Sequence, residues 1–388
     1  LSGPLHYCEG LALVETGGGF FRPASRPARD FGVLLVRGLA GRSGGCGARV
    51  LDGMAGCGIR ALRYGLEGGA TAVWANDADP DRLPLLARNL ARLPASLERQ
   101  VSAQTAQQLL AGCLGQGRRF DLVDLDAFGC PASLVPLALE AVAFGGVLYL
   151  ASTDGRSATG HDRRAAVRRF GAAARAHPAS WEIALRLQLG LLARSAWAMG
   201  RGLLPLLSFS EGRAFRTAVR LERHPAPGEE GLLGLVAHCH GCGDQQVQSL
   251  LRLGRWRPCE CPQAPSGEPS ALAVSGPLWI GPLQDALTLA GMLQAADGEG
   301  ACLERQGRRL LERLRSDPAA TPRCWPVDAI ARRLGQGPPP LADLVAALAA
   351  AGFTTAASGV MAGQLRSEAP WPVVLATARR LVAATAAK

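Results

Sequence analysis

Apolar residues in the first half of the chain gather into short runs that close on acids or glycines and alternate with stretches of helical period. Ala48 to Asp52 reads as a strand, Gly53 to Arg60 (G-M-A-G-C-G-I-R) as a glycine-rich turn, and the stretch from Ala61 as a helix. Ala72 to Ala75 predicts a second strand ending at Asn76-Asp77, followed by a helix over Asp81 to Leu93. Val101 to Leu110 supplies a third strand and a polar turn at Thr105-Ala106. In the fourth strand Val123 and Leu125 alternate with Asp121, Asp124 and Asp126, and the run breaks at Ala127-Phe128-Gly129-Cys130-Pro131. A helix over Ala138 to Phe144 and a fifth strand over Gly146 to Ala151, ending at Ser152-Thr153-Asp154, complete the alternation. Strands alternating with helices predict an α/β sheet whose ligand lies beyond the carboxyl ends of the strands.

The pattern changes further on. Gly160 to Arg201 has helical character and many arginines, for which a solvated helix face is the plain reading and a basic face toward RNA the sharper one. Pro205 to Ser210 and Ala214 to Leu221 predict a hairpin that closes the sheet. His224 to Glu230 (H-P-A-P-G-E-E) is the best boundary, dividing the chain into domains at 1–223 and 231–388. Beyond it come a strand and turn over Gly276 to Asp285 with a helix after it, a linker-like run at 336–340, a helix over Leu341 to Gly352 and a strand over Phe353 to Ser358. Residues 1–45 give no regular element: they read as a surface lead-in, or as a loop that crosses the site and supplies Arg29.

Composition narrows the function. The 388 residues are 48% hydrophobic but only 5% aromatic, so Leu, Ala and Val must fill the core. A net charge of +10 rests on arginine, with Lys388 the only lysine, which suits a polyanionic partner and bidentate phosphate contacts. No apolar run reaches membrane-spanning length without a charge or glycine, so no membrane role is expected. Leu1 to Gly10 lacks a basic region followed by an apolar one, so no signal peptide is expected; the chain begins without Met. Eleven cysteines, an odd number and mostly scattered, fit a reducing cytoplasm with one metal cluster better than a disulfide framework.

Two constellations carry candidate chemistry. The G-M-A-G-C-G turn lets a ligand approach the backbone at Gly56 and Gly58, and Asp77 is placed to accept both hydroxyls of a ribose. Its glycine spacing departs from the G-x-G-x-x-G dinucleotide fingerprint, which favours S-adenosylmethionine, a ligand without a pyrophosphate. The expected fold is therefore a Rossmann-like class I S-adenosylmethionine-dependent methyltransferase sheet with a smaller α+β zinc-containing carboxyl domain. In that sheet the Asp52 turn holds the methionine end, Asp77 the ribose, Thr105-Ala106 the adenine, and the fourth strand, with Asp126 and Phe128 at its end, the reacting atom. The second constellation is Cys239-x-x-Cys242 followed by Cys259-x-Cys261, four thiolates that would close a tetrahedral, structural Zn2+ site. His238 or His240 could substitute for one of them.

With these stretches placed, the chain resembles the tRNA (guanine-26-N2)-dimethyltransferase family over nearly its whole length. The family's D-P-F-G-S-P is similar to Asp126 to Pro131, its F-Y-N-P and N-R-D to Phe20 to Pro23 and Ala28 to Asp30, and its L-D-x-x-x-x-S-G-I-R to Leu51 to Arg60. S-T-D, P-L-L-S-F-S and G-P-L-W-x-G-P-L-x-D recur at 152–154, 205–210 and 276–285. Departures are Arg22 for asparagine, Thr105 for an aspartate beside the adenine, Ala127 for proline, Cys130 for serine and Gly359 for a histidine. The resemblance implies a cytoplasmic enzyme, monomeric, that methylates N2 of guanine 26 in tRNA. It further implies cofactor contacts from Arg29, Arg60, Asp77 and the Thr105-Ala106 backbone. The alternatives are a methyltransferase of another tRNA guanine and an RNA-binding homologue with a decayed site, which S-adenosylmethionine binding would separate.

Overall fold

The structure, a computed structural model, describes residues 6–18, 20–42, 47–212, 214–258, 261, 272–298, 303–317 and 319–386. Its first correction falls at the amino terminus. Instead of an irregular lead-in there is a hairpin, β1 (His6–Glu9) and β2 (Ala12–Glu15), and then a helix, α1 (Arg26–Arg42). Prolines and glycines hide the helical period of α1, yet Phe31, Leu34 and Leu35 are buried along it. Gly32 is needed there because a Cβ would collide with the Tyr64 hydroxyl.

The central sheet follows: β3 (Ala48–Asp52), α2 (Ile59–Leu66), β4 (Ala70–Asp77), α3 (Leu83–Leu90), β5 (Glu98–Ala103), α4 (Ala106–Gly115) and β6 (Phe120–Asp126). Then come α5 (Val135–Ala141), β7 (Val142–Ser152), α6 (Arg163–Phe170), α7 (Ser180–Ala198), β8 (Gly202–Glu211) and β9 (Ala214–Glu222). The strand order is β5-β4-β3-β6-β7-β9-β8, parallel up to β7 and antiparallel through β9 and β8. Alternate residues serve opposite faces. Val50, Val73, Leu122 and Val147 join α1 and α2 in one core, and Leu51, Trp74, Val123 and Leu148 join α4, α5 and α7 in another. A sheet covered on both faces needs near-continuous apolar runs, which is what the sequence carries.

Boundaries differ from expectation in four places. The third strand, expected over Val101 to Leu110, is β5 alone, since Thr105 caps α4 and Ala106 to Leu110 are already helical. The helix expected over Ala138 to Phe144 ends at Ala141, because Val142 already pairs with Phe120. The helix expected from Asp81 starts at Leu83, after a short turn over Pro80–Arg82 that the Asp79 side chain caps. The arginine-rich stretch breaks at Gly171, in the left-handed conformation, into α6 and α7.

Beyond Glu230 lie β10 (Leu233–Cys239), β11 (Gln245–Ser249) and β12 (Leu272–Trp279), an antiparallel sheet ordered β11-β10-β12. Next are α8 (Ala286–Asp297), α9 (Arg305–Arg315), β13 (Cys324–Pro326), α10 (Val327–Leu334), α11 (Leu341–Ala350), β14 (Thr355–Ala357), β15 (Gln364–Ser367) and α12 (Trp371–Ala386). Leu289, Met292, Leu311 and Leu314 of α8 and α9 share the core of α1, while Trp325, Leu344, Leu365 and Trp371 form a separate cluster. β12 lies on α7, where a Cβ at Gly190 would stand 2.9 Å from Leu278 Cα. Arg186 of α7 is not on a solvated face. It is fully buried and donates to the carbonyls of Trp279 (3.1 Å), Gly281 (2.8 Å) and Ala319 (3.1 Å). Gly359 is required locally, since a Cβ would stand 2.9 Å from the Arg313 carbonyl oxygen.

Candidate active site and cysteine cluster

Parallel strands bring their carboxyl ends to one edge, and there β3, β4 and β6 open a cleft of about 540 Å³. The glycine turn forms one wall. Gly56 has φ +58° with open space where a Cβ would project, and its N–H donates to Asp77 Oδ2 at 2.8 Å. Asp77 Oδ1 accepts from Asp79 N at 3.1 Å, which fixes the carboxylate at the cleft wall. Arg60 and Ala106 also line the cleft.

Three expected contacts stand elsewhere. Asp52 is fully buried behind the turn, where its Oδ2 accepts from Ala61 N at the start of α2. Gly58, at φ +80°, sets the turn into α2 and packs toward Leu86 and Leu90. The Thr105 hydroxyl is engaged in a capping box with Gln108 at the start of α4. None of the three lines the cleft. Arg29 lines it, but the guanidinium is committed: it grips Glu9 through Nε (2.7 Å) and Nη2 (2.6 Å) and donates to the carbonyls of Arg22 and Pro23. It thereby fixes the Phe20–Pro23 segment over the cleft.

Asp126 stands at the end of β6, with its side chain 36% exposed. Arg60 Nη2 donates to its Oδ2 at 3.1 Å and Arg216 Nη2 to its Oδ1 at 2.8 Å. Burial alone would raise its pKa, but the Arg216 and Arg60 charges override this and hold the carboxyl well below the usual range. Its buried neighbours go the other way. Burial, ahead of every other cause, raises the pKa of Asp124 and Asp52. Asp124 Oδ2 accepts from the Tyr64 hydroxyl at 2.5 Å and from Arg60. The sheet thus pushes the pKa of its buried acids up and that of Asp126, at the cleft, down.

Arg216 was not anticipated from the sequence. Register explains it: Asp126 pairs with Ala151, and Ala151 with Arg216, so the three lie in line across β6, β7 and β9. Only a methyl group separates acid from base across two strand spacings, roughly 9–10 Å. An arginine among apolar residues in F-R-T-A-V was the available signal, but its partner lies 90 positions away. Nη1 of this buried side chain has no hydrogen-bond partner among the described residues.

Phe128 is 74% exposed, and so is Phe20, whose ring meets it edge-on at 5.3 Å between centroids. The turn that carries Phe128 is held on both sides. Gly129 N–H donates to Thr153 Oγ1 (2.7 Å), and the Gly129 carbonyl accepts from Thr153 N (2.9 Å) and Ser152 Oγ (3.0 Å). The S-T-D stretch is therefore a clamp on the loop after β6.

The model of the N2,N2-dimethylguanosine tRNA methyltransferase family matches residues 9–379. The chain belongs to this family. A tRNA (guanine(26)-N(2))-dimethyltransferase of Methanothermobacter thermautotrophicus is 27% identical over 354 residues, 90% of each chain. Another, of Methanocorpusculum labreanum, is 29% identical and covers 91% of this chain and 90% of its own. Among solved structures, Trm1 from Pyrococcus horikoshii with S-adenosyl-L-methionine superposes with a TM-score of 0.83 at 24% identity, over 96% of this chain and 99% of that one. The fold is thus the mixed-sheet α/β architecture of the S-adenosylmethionine-dependent methyltransferases. No described helix is long and apolar enough to cross a membrane.

In this family member a second site lies far from the cleft along the chain. The Sγ atoms of Cys239, Cys242 and Cys261 lie within 4.8 Å of one another, with 3.4 Å between Cys239 and Cys261. The fourth expected ligand, Cys259, lies outside the described residues. Neither histidine joins the three sulfurs: His238 and His240 instead face each other edge-on at 4.9 Å. The turn is anchored from the carboxyl module, where Trp371 Nε1 donates to the Cys242 carbonyl (2.7 Å) and Trp325 Nε1 to the Gly243 carbonyl (2.8 Å).

Proposed function

We propose that this chain transfers methyl groups from S-adenosylmethionine to the exocyclic N2 of guanine 26 in tRNA, first one and then a second. The observation that carries this reading is Asp126, ionised between two arginines beneath two exposed, facing phenylalanines. The guanine amine is a weak nucleophile because its lone pair is delocalised into the ring, so positioning comes first. Phe128 and Phe20 stack on a base that has left its tRNA stack. Asp126 accepts a hydrogen bond from one amine N–H, turns the lone pair toward the methyl carbon and offsets the positive charge that grows on nitrogen. Held by Arg60 and Arg216 it is a poor base, so the surplus proton leaves to water once the new N–C bond has formed. A monomethylated amine still offers Asp126 one N–H. The dimethylated amine offers none, and the reaction stops there.

S-adenosylmethionine supplies the methyl group, activated on a sulfonium. The open space before Gly56 and the half-exposed Asp77 carboxylate fit such a ligand, with Asp77 for the ribose and Ala106 for the adenine. Asp52, Gly58, Thr105 and Arg29 hold these contacts in shape. We assign residues 1–223 to methyl transfer and 231–388 to holding tRNA. The three gathered cysteines suit zinc, because four sulfurs about 2.3 Å from a tetrahedral Zn2+ stand roughly 3.8 Å apart. With Cys259 they leave no open position, so the metal would be structural. Nucleoside analysis of a tRNA bearing guanine 26, incubated with protein and S-adenosylmethionine, tests the reading: N2-methylated then N2,N2-dimethylated guanosine is expected. Methylation at another base, or none, would overturn it.

A further inference from the structure

A second groove, of about 710 Å³, runs beside the cleft between α9 and the turn joining β8 to β9. Arg22 lines both, so the two cavities meet at this side chain. The inner face of α9 is apolar, with Leu311 and Leu314 buried against the α1 core, and Arg305, Arg309 and Arg313 line the groove. Arg313 is partly spent, since its Nε donates to the Gly359 carbonyl at 2.9 Å. Arg22, Arg305 and Arg309 have no side-chain hydrogen bond or ion pair among the described residues, so three unneutralised guanidiniums share this groove. Two acids line the groove as well, and both are answered: Glu304 faces Arg26 at 3.5 Å, and Glu211 faces Arg216 at 3.9 Å and accepts from Ala28 N.

We infer that Arg22, Arg305 and Arg309 form a phosphate track that receives the RNA strand flanking the target base. The inference rests on the tRNA reading above and adds where that RNA is held. Arg305 and Arg309 are four apart on one helix, about 5–6 Å between Cβ atoms, so their guanidiniums reach neighbouring phosphates of one strand. Arg22 then takes the phosphate nearest the cleft mouth, beside Phe20. Its charge stands at the point where the strand turns into the cleft.

The test is binding of a tRNA transcript bearing guanine 26 over a range of salt concentrations, read without cofactor, with methyl-transfer kinetics alongside. For Arg305→Gln/Arg309→Gln, the slope of log affinity against log salt should become shallower by about 1.4, at roughly 0.7 per phosphate released on a single strand. Adding Arg22→Asn should take away about 0.7 more. The loss should appear as a raised KM for tRNA rather than a lowered kcat, with S-adenosylmethionine affinity of the double variant unchanged as a check on folding. Arg118→Gln/Arg119→Gln, at the opposite end of β6, removes the same charge and should leave the slope alone. An unchanged slope in the α9 pair, or an equal loss in the Arg118/Arg119 pair, would overturn the track. Failure of the wild type to methylate the transcript would instead sink the tRNA-guanine reading, and the salt slopes would still decide the groove.

Discussion

The cleft and the cysteine cluster are built in opposite ways. Cleft residues come from Phe20 through Arg216 and meet only because strand register lines them up. The cluster begins as one short turn, Cys239 to Cys242, and becomes rigid through two tryptophan N–H groups from another module. Neighbours in the cleft are held by an extended sheet, so a side chain can be removed there without loss of the scaffold. The cluster's own scaffold is the contact it makes.

The largest effect that would separate the two comes from Asp126→Ala. Methyl transfer should fall by roughly 10²–10⁴-fold while calorimetry still finds S-adenosylmethionine bound. Turnover near wild type would remove Asp126 from the chemistry. Zinc removal should do the reverse. Metal analysis is expected to find one zinc per chain, and chelation should lower the melting temperature and tRNA affinity while S-adenosylmethionine affinity holds. Freshly purified protein without zinc would refute the cluster's assignment.

Asp77→Ala should act on the cleft alone, through binding rather than turnover. Loss of two ribose hydrogen bonds to a carboxylate, at about 1.5–3 kcal/mol each, weakens S-adenosylmethionine affinity by at least about 100-fold with thermal stability little changed. An unchanged Kd would show that Asp77 does not meet the ribose. The smallest effect is one of pH. Because the arginines depress the Asp126 pKa, its charge persists above the ordinary carboxylate range and is lost only below it, so the stability it contributes also fades only as pH falls. Between about pH 5 and 8, kcat should therefore carry no limb that disappears in Asp126→Asn. A limb near pH 6 that vanished in this variant would make Asp126 a general base after all.

The same contrast governs what could be read in advance. The glycine turn, the acids closing β3, β4 and β6, and the C-x-x-C spacing are local patterns, and each stands where the sequence places it. α1 escaped because its apolar positions are diluted by glycines that serve close packing, as at Gly32. The arginines of α7 were misjudged for a related reason. Arg186 looks like a surface charge until Glu182 and four backbone carbonyls from residues 279–321 surround it.

The sequence by itself determined the alternation of strands and helices between Ala48 and Asp154, the acids closing β3, β4 and β6 and the spacing of the cysteine turn, because these depend on neighbours a few residues apart. Tertiary structure decided which way each acid's pKa moves. Asp52, Asp124 and Asp126 all end or line sheet strands, and nothing local distinguishes them. Only the fold buries the first two and brings the Arg216 hydrogen bond to the third, since electrostatic character is set by distance in space, and β9 enters that distance only after the sheet has closed.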